Sequence, residues 1–284
     1  MVMSEKMRNL LVRTLSGAVL TIVVVGAVLL SQWSFIALLL VILIGGMWEF
    51  YRLARREDTV PLRWLGLAGG VALLAASTLL VFTWTDSSLL VCLLLFLFFM
   101  LLIPMMFVCE LFLKRQRPAA DIGVTLAGIF YVALPLSMFL LLPIQIDGSA
   151  WNPWVILFYI FIIWTNDICA YLVGMTLGRH RLYPRISPNK SWEGFFGGIV
   201  GAIGMGLLAA WIMEADYLLW GVLAAIAAMS GVLGDLIESM FKRAAGVKDS
   251  GNILPGHGGW LDRFDALIFS VPFVFVFLIL LQIL

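Results

Sequence analysis

The stretch SMFKRAAGVKDSGNILPGHGGWLDRFD, residues 239–265, is a polar island between two long apolar runs. It holds three Asp, four Lys or Arg, five Gly and one of the two His in the chain. Polarity placed this way marks a loop at a membrane face. Asp262, Arg263 and Asp265 stand directly before the next apolar run, at the boundary itself. The glycines and Pro255 let backbone approach a ligand closely. Carboxylates beside Lys and Arg, with Gly between them, suit a metal ion and bound phosphates.

Working outward, the rest of the chain is greasy. Of 284 residues, 63% are hydrophobic and only 12% charged, which excludes a soluble domain of this size. Apolar runs reach the roughly 17–25 residues that span a bilayer. Nine spans are predicted, over residues 14–30, 34–53, 64–84, 89–113, 122–142, 154–174, 195–213, 218–239 and 266–284. The fold class is an all-α polytopic membrane protein, without a soluble domain or a strand-period segment. The first run follows Lys6, Arg8 and Arg13 but lacks a small-x-small cleavage site, so it reads as a retained helix.

Charge chooses the orientation. With the N-terminus in the cytoplasm, all 18 Lys and Arg fall in cytoplasmic segments, and the opposite loops hold only Asp86, Asp147, Glu214 and Asp216. The positive-inside rule then places residues 239–265 in the cytoplasm and the C-terminus outside. Trp33, Trp84, Trp151 and Trp154 fall near the outer ends of spans, as an interfacial belt does. Gly194 and Gly198, and Gly197 and Gly201, recur at four-residue spacing, which allows close helix packing within the chain or in a homodimer. Cys92, Cys109 and Cys169 all lie in apolar runs and are expected reduced and buried.

Carboxylates inside spans are the next signal. Asp167 lies within the sixth, and Asp235 and Glu238 share one face of the eighth near its cytoplasmic end. A carboxylate at such depth costs about 2.5–3.5 kcal/mol on insertion scales unless partnered or hydrated. The plain alternative is a structural ion pair, weightiest for Glu238, which is nearest to water. Asp235 and Asp262 flank one cytoplasmic loop and could converge on a divalent cation. Glu49 and Glu110 cap cytoplasmic helix ends, where pairing with nearby Arg or Lys is expected. His180 reads as a surface residue.

The polar stretch closely resembles the signature of the phosphatidate cytidylyltransferases, the CDP-diacylglycerol synthases. The matching positions are Ser239, Phe241, Lys242, Arg243, Lys248, Asp249, Gly251, His257, Gly258, Gly259, Asp262, Arg263, Phe264 and Asp265. Trp260 departs, standing where the family usually has an aliphatic residue. Upstream, SPNKSWE at residues 187–193 resembles the family's Ser-Pro-Gly-Lys-Thr element, with Asn189 for Gly and Ser191 for Thr. Asn166 stands where many members have Ala. The resemblance covers roughly residues 164–270, and the first half matches only as a set of membrane helices.

The resemblance implies transfer of CMP from CTP to phosphatidic acid, giving CDP-diacylglycerol and pyrophosphate at the cytoplasmic side of a bacterial-type inner membrane. It implies Asp235, Asp262, Lys248, Asp249 and Asp265 as catalytic. Ser187, Lys190, Lys242, Arg243, His257 and Arg263 would bind phosphate or nucleotide. Asp235, Asp262 and Asp167 would bind Mg2+, with room for a second cation. Residues 1–150 would scaffold the lipid groove and 151–284 would carry the chemistry. Partners are CTP, phosphatidic acid and bilayer lipid, with no nucleic acid. A related CTP-dependent lipid or polyprenyl enzyme, or an ion-coupled transporter, are the alternatives. The topology is testable directly: a cysteine placed near Ser250 should resist an impermeant thiol reagent outside intact cells, and labelling there would overturn the orientation.

Overall fold

The computed structural model describes residues 5–82, 88–251, 253 and 258–283, with side chains from Thr14 onward except at 82, 88 and 89. His257, Pro255, Trp84 and Asp86 lie outside the described residues. The helices are α1 (Glu5–Leu30), α2 (Gln32–Ala54), α3 (Arg63–Phe82), α4 (Ser88–Leu113), α5 (Pro118–Gly128), α6 (Leu134–Leu140), α7 (Leu142–Asp147), α8 (Pro153–Leu177), α9 (Trp192–Met213), α10 (Tyr217–Ala244) and α11 (Leu261–Ile283). Among the described residues, eight helical segments are long and apolar enough to cross a membrane, and Thr14–Leu30 is a shorter apolar helix. The protein is an all-α integral membrane protein.

Local chemistry sets the boundaries. Ser31, Asn152, Ser191 and Asp216 cap α2, α8, α9 and α10, each accepting a backbone N–H of the first turn. A π-helical stretch, Ile129–Ala133, joins α5 to α6. It falls just before Pro135, which cannot donate to the carbonyl four residues back. Helix α10 runs on to Ala244, so Lys242 and Arg243, expected in a loop, stand on its last turn, where cations suit the helix dipole.

The chain forms two compact units, residues 1–141 with 247–263 and residues 142–246 with 264–284. In the first unit Tyr51 is fully buried and donates to the Thr125 carbonyl at 2.8 Å. Gly66 and Gly128 leave room for its ring. Asp121 accepts from Val60 N–H at 2.6 Å, and Thr125 Oγ1 accepts from Leu62 N–H at 2.8 Å, so α5 ties down the α2–α3 connection. Arg115 reaches Glu110 at 3.3 Å and Asp121 at 3.6 Å, and donates to the Val60 carbonyl. It is therefore a structural cation and not merely a topological one. Cys92, expected buried, is exposed on α4, whose Leu101, Leu111 and Phe112 are exposed as on a lipid-facing helix.

In the second unit α9 packs on α8 and α10. Its glycine face is used inside the chain: a Cβ on Gly197 would lie 2.5 Å from Val173, one on Gly198 2.6 Å from Asn166 Oδ1, and one on Gly206 2.6 Å from the Trp220 carbonyl. The stripe that suggested a homodimer is thus covered by the protein's own helices. Contrary to the sequence expectation, the basic loop after α8 contains an antiparallel ribbon, β1 (Arg181–Tyr183) and β2 (Ser187–Ser191). Half of its residues are exposed and only Ser191 is buried, so no period-two apolar pattern marks it. Its base is held by Glu193, which accepts from Arg179 N–H and His180 N–H and meets His180 Nδ1 at 2.6 Å.

Replacing Arg115 by Gln leaves Glu110 and Asp121 buried without their cation. Unfolding in detergent should show a loss of about 3 kcal/mol, the cost of breaking a buried pair, whereas Arg55→Gln, at an exposed position, should melt like the wild type.

Candidate active site

Within the second unit a cavity of about 560 Å³ is lined by Asp167 of α8, Arg181 of β1, Lys190 of β2 and Asp235 of α10, together with apolar Tyr171 and Phe195. Glycines bring these elements together. Gly174 and Gly178 abut the Ser191 hydroxyl, and a Cβ on Gly194 would lie 2.7 Å from the Ala170 carbonyl, so β2 can reach the end of α8. Lys190 Nζ sits 2.5 Å from Asp235 Oδ2. Buried Asn166 donates to Asp167 Oδ1 at 3.4 Å. Tyr171 and Met175, on the cavity wall, are also exposed, as are Ile168 and Leu172 on the same helix. The site therefore joins charged groups to an apolar surface.

Asp235 also belongs to an acidic trio. One carboxylate oxygen from each of Asp235, Glu238 and Asp265 lies within 4.8 Å of the others. Glu238 and Asp265 are buried, at 0% and 8% exposure. Lys242 Nζ meets Glu238 Oε2 at 2.5 Å, one turn along α10. Three hard oxygen donors at this spacing fit a divalent cation such as Mg2+. Gly234 makes the approach of α11 feasible, since a Cβ there would lie 2.6 Å from Phe269 and 2.7 Å from the Asp265 carbonyl.

The first unit holds the loop that leads into α11. Asp262 Oδ2 accepts from Ser250 N–H, Ser250 Oγ and Gly259 N–H, each at 2.8 Å. Ser250 is fully buried, and its hydroxyl also lies 2.8 Å from Glu49 Oε2. The same oxygen accepts the Leu261 N–H at 2.9 Å. Arg52 donates to the Ser250 carbonyl. A Cβ on Gly251 or Gly259 would collide with the Glu49 carboxylate. These two glycines thus admit a carboxylate of the protein itself. Gly258 adopts a left-handed φ of +82°. Trp260 lies against Gly45 of α2, where any Cβ would overlap its ring. The bulky departure at 260 is accommodated by a missing side chain at 45.

Asp167, Lys190 and Asp235 are gathered at the cavity, and Asp265 joins Asp235 in the trio. Asp262 is engaged in the loop of the first unit, where Lys248, Asp249 and Arg263 are exposed. Ser187 begins β2, and Arg243 is exposed at the end of α10. His180 is exposed as expected, and Glu110 pairs as expected. Glu49 does not follow the expectation of an ion pair: its Oε2 accepts from the Leu261 N–H and lies against the Ser250 hydroxyl. The sequence reading gives Glu49 and Arg52 only a helix-end pairing role and leaves Gly45 out, because the first half offers no motif. Their spacing over one helix face, and a carboxylate placed within a span, were the available signals. Because Ser250 is buried, exposed Lys248 is the better position for a topology probe.

This arrangement of cationic and anionic side chains in a membrane helix bundle agrees with comparison to known proteins. The Cytidylyltransferase family matches residues 11–281, and the chain belongs to it. Similar proteins include those named phosphatidate cytidylyltransferase in Staphylococcus epidermidis, 49% identical over 126 residues, and Staphylococcus saprophyticus, 48% identical over 126 residues. The protein of that name in Staphylococcus aureus is 47% identical over 126 residues. Each match covers 44% of this chain and 48% of the relative, so the chain spans about half the length of the curated relatives it matches.

The fit of Trp260 to Gly45 has a measurable consequence. Gly45→Ala should cost roughly 1–3 kcal/mol through overpacking, and Trp260→Leu should relieve most of that loss in the double variant. Additive losses in detergent melts would refute the pairing.

Proposed function

We propose that this chain transfers the cytidylyl group of CTP to phosphatidic acid, yielding CDP-diacylglycerol and pyrophosphate. The observation that carries this reading is the cavity of the second unit, where Lys190, Arg181 and Asp235 share walls with Tyr171, Met175 and Phe195. A polyanion from water and a lipid phosphate from the bilayer need that combination. The name carried by the relatives points the same way.

The nucleophile is an oxygen of the lipid phosphomonoester, whose second pKa is about 6, so it is largely ionised near neutrality and needs no protein base. It attacks the α-phosphorus of CTP and forms a new P–O bond. The bond from that phosphorus to the oxygen bridging to the β-phosphate breaks, and pyrophosphate leaves with the electron pair. The protein's work is to hold two anions in line and offset charge. We assign Lys190, Lys242, Arg243, Lys248 and Arg263 to phosphate contacts, with Ser187 and His257 as further candidates. Asp235, Glu238 and Asp265 would hold Mg2+, with Asp167 as a further carboxylate of the second unit, and Asp249 and Asp262 are catalytic candidates on the loop of the first. The ion would supply positive charge to the triphosphate. Lys190 and Lys242 neutralise part of the trio's charge. We place the site on the cytoplasmic side of the plasma membrane, where CTP is available.

Purified protein incubated with CTP, phosphatidic acid and Mg2+ in mixed micelles should yield CDP-diacylglycerol by mass spectrometry, and no product would refute the reading. Asp235→Asn should abolish turnover and weaken Mn2+ binding followed by paramagnetic resonance, while the protein remains folded.

Charge as such is separated from placed charge by a second comparison. Lys190→Gln or Lys248→Gln should cost roughly 1.5–3 kcal/mol in kcat/KM for CTP, the worth of a hydrogen bond to a charged group. Arg55→Gln should leave the kinetics unchanged, and equal behaviour of all three would reduce these lysines to topological signals.

A further inference from the structure

Glu49 is a buried ionisable group that the mechanism above does not use. It lies in the last turns of α2, is 1% exposed, and belongs to a span where a carboxylate is costly to keep. Its Oε2 has two partners with different roles. The first is Leu261 N–H, at 2.9 Å, the first amide of α11. Initial helix amides have no partner within the helix, and the helix dipole favours a negative charge there. Glu49 thus caps α11 from a different helix. The second partner is Ser250 Oγ, at 2.8 Å. That hydroxyl stands equally close to Asp262 Oδ2, at 2.8 Å. A hydroxyl carries a single hydrogen, so two carboxylates compete for it, and the position of Glu49 bears on how Asp262 is held. Arg52, one turn further along α2, fixes the Ser250 carbonyl. Gly251 and Gly259 have no Cβ to block Glu49. Backbone, side chain and the missing side chains all converge on one carboxylate.

We propose that Glu49 is a positioning residue for the reaction, acting through Ser250 to fix the Asp262 carboxylate and the first turn of α11. The inference rests on the function proposed above. Anchoring Asp262 by Oδ2 sets the orientation of the whole carboxylate. The same contact explains how an N-terminal helix serves a signature encoded some 200 residues later.

The test is a double-variant cycle on Glu49→Ala, Ser250→Ala and both together, with Glu49→Gln as the conservative form. In mixed micelles each single change should lower kcat about 10–100-fold, the usual cost of losing a residue that orients a ligand-bearing group. KM for phosphatidic acid should change little. The double variant should be no slower than the worse single one, because the two act in series. Glu49→Gln, which retains an accepting oxygen, should recover part of the loss. Hydrogen exchange of peptides covering residues 247–263 should accelerate in Glu49→Ala. A purely structural role would lower the melting temperature but leave kcat per folded molecule unchanged, and that result, or additive losses, would overturn the proposal. Should Glu49→Ala fail to fold, Ser250→Ala decides alone, with wild-type kcat counting against it. Absence of product from the wild type would refute the function reading. Unchanged exchange in Glu49→Ala would refute this inference independently.

Discussion

A carboxylate within a bilayer-spanning helix is tolerable only when a cation or hydrogen-bond donor meets it, and that constraint organises both units. Glu110 and Asp121 share Arg115. Glu238 has Lys242, Asp235 has Lys190, and Glu49 has Ser250 and the leading amide of α11. Burial in a low-dielectric setting makes each contact matter more than it would on a soluble surface. Apart from Glu238 and Lys242, both on α10, the partners come from different elements: α5 answers a residue after α4, β2 answers α10, and the loop before α11 answers α2. Charge satisfaction therefore acts as a long-range constraint on the fold.

Close approach is the second requirement, and glycine supplies it. The faces of α9 and α10 are pared down so that α8 and α11 come near enough for Asp167, Asp235, Glu238 and Asp265 to be placed. In the signature loop the missing side chains serve the protein's own carboxylate. A glycine there answers a packing demand created by Glu49, and only through it a chemical one. Trp260 and Gly45 illustrate the same exchange of volume between distant parts of the chain.

On the function proposed above, a charged nucleotide and a membrane lipid have to meet at one place. The cavity of the second unit has the composition for this: cationic and anionic groups beside aromatic and aliphatic side chains, some of them exposed where lipid would lie. The ribbon that carries Lys190 is a small amount of extended structure in an otherwise helical protein. Its position is fixed at the base by Glu193 and by the Ser191 cap of α9. A lysine on such a ribbon is more narrowly placed than one on an open loop, which is what a contact to phosphate requires.

The sequence alone determined the helical membrane class, because uninterrupted apolar runs leave the backbone no alternative in a bilayer. It determined the family through a long polar motif, drew attention to Asp167 and Asp235 because charge in a greasy chain is conspicuous, and offered Lys190 and Asp265 as candidates through the resemblance. The ribbon was not legible, since neither of its faces is packed into a core. The intramolecular use of the α9 glycines was also open, because small-residue spacing permits close packing without naming the partner. Only the tertiary structure decided that Glu238 joins Asp235 and Asp265, that Arg115 is structural, and that α2 holds the signature loop. The contacts of Asp265 with Asp235, of Arg115 with the Val60 carbonyl and of Glu49 with Ser250 span tens to about two hundred residues. Local spacing carries no record of which distant group satisfies a buried charge; that follows from where the packed helices bring donors and acceptors together.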